Sequence, residues 1–117
     1  MRRMNHTRYD CHEGCPVEAT LEVIGGKWKG IILHHLLSET LRFNELRRQM
    51  PEVTQRMLTK QLRELEADNL IVRTVYPVVP PKVEYSISEY GNTLTPVIQA
   101  LRAWGKQHLE QVSVGAK

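Results

Sequence analysis

The chain has 117 residues, enough for one ordinary domain and too few for two. Hydrophobic residues make up 41% and charged residues 25%, a balance that supports one compact core and excludes intrinsic disorder as the default state. Sixteen Lys plus Arg against thirteen Asp plus Glu leave a net charge of +3, which suits a few placed cations rather than a nonspecific polycationic tail.

Residues 1–15 mix charges and polar groups without helical or alternating period, and read as an N-terminal arm. They lack the apolar core of a secretory leader, and no run in the chain is long enough to span a bilayer, so a cytoplasmic protein without membrane contact is expected. In that compartment Cys11 and Cys15 need not form a framework disulfide. Pro16 suits the first turn of a helix carrying Val17, Leu21 and Ile24 at apolar spacing, which Gly25-Gly26 should stop. A second helix is expected over about Lys27 to Leu37, where Trp28, Ile31, Ile32, Leu36 and Leu37 form a stripe too wide for a half-solvated helix. It should be the central one.

After a short connection over 38–41, Phe43 to Leu46 looks like a helix start with Asn44 as its cap, and this helix ends at Pro51. Thr54 is a good N-cap for a longer helix over about Gln55 to Asp68, completing a helix-turn-helix. Leu58, Leu62 and Leu65 fall at i, i+4 and i+7 and should face inward. Asn69 can leave the helix in a left-handed conformation, after which Leu70 to Tyr76 and Lys82 to Ile87 read as a β-hairpin. The segment Pro77-Val78-Val79-Pro80-Pro81 should form its stiff, projecting tip, a wing. Ser88 is the expected cap of a last helix with Leu94, Val97, Ile98, Leu101, Trp104 and Leu109 on its apolar side. Pro96 inside that helix predicts a kink near Asn92.

The outward face of the fourth helix carries the most informative chemistry. A DNA major groove about 12 Å wide admits one helix. Arg56, Lys60 and Arg63 can donate to phosphates or guanine, Gln55 can bond adenine in bidentate fashion, and Thr59 can touch a thymine methyl. The competing reading is a solvated face with an internal Lys60–Glu64 ion pair. Arg73 and Lys82 in the hairpin, with Arg42, Arg47 and Arg48 beside the reading helix, are candidate backbone contacts. Apolar stripes on the first and last helices exceed what so small a core can absorb. A two-fold dimer is therefore expected, built on Val97, Ile98, Leu101, Trp104 and Leu109, with two reading helices about 34 Å apart. The organisation expected is an arm over 1–15, a mainly α winged helix-turn-helix domain with a small β-hairpin over 16–111, and a tail over 112–117.

An ordered set of motifs resembles a known family. It comprises Cys15-Pro16, Gly25-Gly26-Lys27-Trp28 and Arg42-Phe43-Asn44-Glu45-Leu46, then the run from Met57 to Glu66, the run from Pro80 to Gly91, and Trp104. Over about residues 15–108 the chain resembles the HxlR-type transcriptional regulators, winged-helix proteins related to the MarR group. The resemblance implies a homodimer joined through terminal helices that binds an imperfect inverted repeat in double-stranded DNA and represses or activates a nearby promoter; a repressor is the expectation here. In several members the cysteine before the proline, here Cys15, senses oxidants or electrophiles. A thiolate at a helix N-terminus is favoured by unpaired N–H groups, whereas the bland alternative is a small buried hydrophobe. Cys11 departs from the commoner single-cysteine arrangement and adds a candidate resolving thiol.

Two other classes compete. His6, Cys11, His12 and Cys15 could supply zinc ligands to a metal-responsive regulator, but no second ligand pair follows, and no metal or other cofactor is expected. His34 and His35 lie in the apolar second helix and read as packed histidines. An enzyme is not expected, because Gly25-Gly26-Lys27 lacks the spacing of a phosphate loop and no nucleophile, base and orienter are placed together. A winged-helix protein-interaction module without DNA remains the alternative from another class.

Overall fold

A computed structural model describes residues 14–115 of the chain. The first helix, α1 (Cys15–Ile24), carries Pro16 in its opening turn, where a missing N–H forfeits no intrahelical bond. It ends at Gly25, and Gly26 adopts φ 80°, which glycine reaches without a Cβ penalty. The next helix, α2 (Lys29–Ser38), buries Ile32, Leu33 and Leu36 in the middle of the core. Its buried stripe is narrower than the sequence pattern suggests, since Ile31 and His34 face outward.

The chain then forms a strand that the hydrophobic pattern does not reveal, β1 (Leu41–Arg42). This strand corrects the expected cap of α3 (Phe43–Gln49). Arg42, still extended as part of β1, is the N-cap, and its backbone N–H donates to Glu45 Oε1 at 2.7 Å. Asn44 lies inside the first turn. Thr54 caps α4 (Gln55–Ala67) as expected, its Oγ1 accepting the Met57 N–H at 3.0 Å. Leu58, Leu62 and Leu65 are fully buried, as their spacing predicts. The helix exits through Asn69 at φ 63°, with the Leu70 N–H donating to the Leu65 carbonyl and the Asn69 N–H to the Glu66 carbonyl. These two bonds around a left-handed residue satisfy the last helical carbonyls.

Strands β2 (Ile71–Tyr76) and β3 (Lys82–Ile87) pair antiparallel, with Ile71 opposite Ile87 and Tyr76 opposite Lys82. On the other edge β1 pairs with β3, Leu41 opposite Tyr85, giving a three-stranded sheet in the order β1-β3-β2. The wing tip projects as expected, and Val79 is 99% exposed.

The start of the last helix differs from the sequence expectation. Ser88 caps a 3-10 turn over Gly91–Leu94: its Oγ accepts the Gly91 N–H at 2.7 Å and donates to the Asn69 carbonyl at 2.6 Å. A Cβ at Gly91 would run into the Leu70 carbonyl oxygen, so this crossing requires glycine. The long helix α5 (Thr95–Gly115) begins only afterwards. Pro96 is therefore a first-turn residue of α5 and not an interior one, so its missing N–H forfeits no bond within that helix. The helix also continues past the expected boundary at 111, as Cys15 begins α1 one residue before the expected start. Among the described residues no helix is long and apolar enough to cross a membrane.

Candidate nucleic-acid interface

Helix α4 is capped by Thr54 and is fixed to the rest of the chain in two ways: its leucines enter the core, and the Lys29 ammonium of α2 meets Glu64 Oε1 at 2.7 Å. The Lys29 side chain is 7% exposed, making this ion pair a largely buried strut between the two helices. The sequence signal for it is a lysine in register with Leu33 and Leu36 on the inward face of an apolar helix, a position that demands a buried partner and that the hydrophobic pattern alone does not single out.

With the inner side committed, Gln55, Arg56, Lys60 and Arg63 are exposed on the outer side, while Thr59 is half-buried and donates its hydroxyl to the Gln55 carbonyl at 2.9 Å. Among the described residues no ion pair engages Arg56, Lys60 or Arg63, and Glu64 is held by Lys29 in place of the anticipated Lys60. A guanidinium or ammonium group in that condition is available to an incoming polyanion.

The flanking cations divide. Arg42, Arg47 and Arg48 are exposed around α3, and Arg73 is exposed on β2. Arg73 and Arg63 line one concavity between the wing and α4. Lys82 is different: its ammonium lies 3.3 Å from Glu84 Oε2 and 4.9 Å from the centre of the Tyr76 ring, so it is engaged within the wing.

The residues assigned to association also divide. Ile98 is buried in the chain's own core, which removes it from any surface. Its neighbours point outward, with Trp104 66% and Leu109 68% exposed, Leu101 also exposed, and Val97 half-buried. Val17 and Leu21 of α1 are exposed as well. The Trp104 indole stacks on the His108 imidazole with ring centres 5.0 Å apart, which stiffens this face.

Cys15 is the first residue of α1 and is fully buried. Cys11, His6 and His12, and with them the zinc alternative, lie outside the described residues. Among the described residues no group of three or more His, Cys, Asp or Glu side chains could hold a metal. His34 and His35 stand with ring centres 5.2 Å apart, and burial with the neighbouring His34 pushes the His35 pKa down.

Comparison with known proteins is consistent across sequence and fold. Residues 23–113 match the HxlR-like helix-turn-helix family. The HTH-type transcriptional regulator YdeP of Bacillus subtilis (strain 168) is 58% identical over 103 residues, covering 88% of this chain and 80% of YdeP. YtcD of the same organism, another HTH-type transcriptional regulator, is 60% identical over 96 residues, which is 82% of this chain and 76% of YtcD. Among solved structures, the reduced form of the redox regulator HypR superposes with a TM-score of 0.80 at 55% identity, covering 85% of this chain and 98% of HypR. These relatives carry the names of regulators, not enzymes. The mainly helical fold with its three-stranded sheet is a winged helix-turn-helix, and the chain belongs to the HxlR-like helix-turn-helix family.

Proposed function

We propose that the protein is a sequence-specific double-stranded DNA-binding repressor that acts as a homodimer on an inverted-repeat operator. The observation that carries this reading is the outer face of α4, where Gln55, Arg56, Lys60 and Arg63 are exposed on a helix held in place by its buried leucines and the Lys29 strut. Arg42, Arg47, Arg48 and Arg73 supply the flanking phosphate contacts, and Lys82 shapes the wing. Fluorescence anisotropy on duplexes from the promoter of its own gene, titrated with salt, tests the reading. Sequence-dependent affinity that falls by roughly 10³ to 10⁵ between 50 and 200 mM salt is the expected result for about 6 to 10 neutralised phosphates. Absent or salt-insensitive binding would favour an interaction module instead.

The dimer rests on Leu101, Trp104 and Leu109 of α5 together with Val17 and Leu21 of α1, an apolar surface that one chain leaves in water. Sedimentation should give twice the 13.5 kDa mass of the chain. Trp104→Glu should shift the protein to the single-chain mass and, by separating the two reading helices, abolish tight operator binding. A wild-type protein that sediments as one chain at micromolar concentration would remove the dimer from the reading.

Similarity to the redox regulator HypR supports a thiol-controlled operator affinity through Cys15. Two cysteine thiols, Cys15 with Cys11 or with a cysteine of the second subunit, would lose two protons and two electrons to an oxidant such as diamide and form one S–S bond. Cys15 is fully buried at the start of α1, so a covalent bond at its sulfur would act directly on the packing of that helix. Diamide is expected to change operator affinity in the wild type and not in Cys15→Ser. Identical responses in both proteins would exclude Cys15 as the sensor.

A further inference from the structure

The concavity where α4 meets the wing is bounded by Phe43, Thr59, Arg63, Glu66, Arg73 and Tyr85 and encloses about 450 Å³. Two arginines line it from different elements, Arg63 from α4 and Arg73 from β2. Both residues are exposed, and among the described residues neither has an ion-pair partner. Like charges converging on one cleft repel, and an anion between them converts that repulsion into attraction. The lining holds one acidic residue, Glu66, against two arginines, so it keeps a positive excess. Thr59 has already spent its hydroxyl proton on the Gln55 carbonyl, so the planar N–H forks of the two arginines, with the Tyr85 hydroxyl beside them, are the donors the lining offers a phosphate.

The position along the helix fits the same ligand. At a rise of about 1.5 Å per residue, Arg63 stands about 12 Å along the axis from Gln55, which is about the width of the major groove. When the first turn of α4 meets base edges, Arg63 is carried to the sugar-phosphate wall. We propose that Arg63 and Arg73 of each subunit together seat one backbone phosphodiester in each half-site of the bound duplex, that Arg63 therefore positions the protein and reads no base, and that Glu66 holds the affinity of this seat down. The proposal rests on the DNA-binding reading above and assigns separate tasks within it, base reading to the start of α4 and phosphate capture to its far end and the wing.

The test uses the full chain and operator duplexes carrying a single neutral methylphosphonate, moved one position at a time, read by anisotropy. Arg63→Ala and Arg73→Ala should each weaken binding about tenfold. Because a homodimer presents each arginine twice, each substitution should lower the salt slope by about 2 and leave the ranking of single-base-pair operator variants unchanged. Arg63→Gln should behave like the alanine variant, and thermal midpoints should not move. One methylphosphonate position in each half-site, a symmetry-related pair, should weaken the wild type and have no effect on the Arg63→Ala/Arg73→Ala double variant. Glu66→Gln should tighten binding, and that gain should vanish when both positions of the pair carry a methylphosphonate. Inorganic phosphate at millimolar concentration should not raise the thermal midpoint of the free protein above a chloride control of equal ionic strength. An altered base preference in Arg63→Ala, different sensitive phosphates for the two arginines, unchanged affinity in Glu66→Gln, or stabilisation by free phosphate would each overturn the seat while leaving DNA binding intact. A wild type that binds no duplex would overturn the DNA-binding reading itself, and the seat with it.

Discussion

Alanine at both Arg56 and Lys60 is expected to weaken operator binding by about 10³-fold or more while leaving the folded state untouched. Both side chains are exposed on α4, and among the described residues neither is held by an ion pair, so truncation removes no intrachain interaction of that kind. A homodimer presents each residue twice, and hydrogen bonds to charged groups contribute about 1.5–3 kcal/mol each. Four such contacts at the lower figure amount to about 6 kcal/mol, which screening and solvent exposure reduce towards the stated thousandfold. Surface substitutions of this kind usually change stability by less than about 0.5 kcal/mol, so the thermal midpoint serves as the control. The slope of log affinity against log salt should become shallower by about 0.9 for every phosphate contact removed. Affinity within tenfold of wild type would show that a different surface meets the duplex.

The outer face of α4 is legible in the sequence because local chemistry sets its orientation. Thr54 offers an oxygen to the first turn, and Leu58, Leu62 and Leu65 at helical spacing fix which side turns inward, so the cations between them must face out. Asn69 is legible for the same reason, since a left-handed exit is a property of one residue. The departures arise where a distant segment decides. A two-residue strand has no period to detect, and β1 exists because β3 pairs with it. In doing so it makes Arg42, not Asn44, the last extended residue before α3. Pro96 sits in a first turn because Ser88 caps the 3-10 turn packed against Leu70, an arrangement set by the hairpin's return. Ile98 belongs to the apolar stripe of α5 like Leu101 and Trp104, and only tertiary packing separates the residue in the core from those left on the surface.

The Lys29–Glu64 strut carries the other large expected effect. Lys29→Met should destabilise the fold by about 3 kcal/mol, lowering the thermal midpoint by roughly 10 °C. The ammonium is almost wholly enclosed and bonded to Glu64 at 2.7 Å, so the substitution takes a compensating charge away from a carboxylate that lies partly inside the protein. Glu64 keeps 35% of its side chain in water, which holds the cost to the lower end of the range for a broken buried pair. Enclosing two charges is itself expensive, and an apolar pair of similar volume avoids that cost. Lys29→Met combined with Glu64→Met should therefore recover most of the lost stability, with a favourable coupling energy in the double-mutant cycle. Operator binding separates the strut's two roles. Methionines at both positions restore packing without the directional bond that sets α4 against α2, so the double variant should fold well and still bind the operator less tightly than wild type. Equal affinity would mean that the leucines and the Thr54 cap alone orient the reading helix.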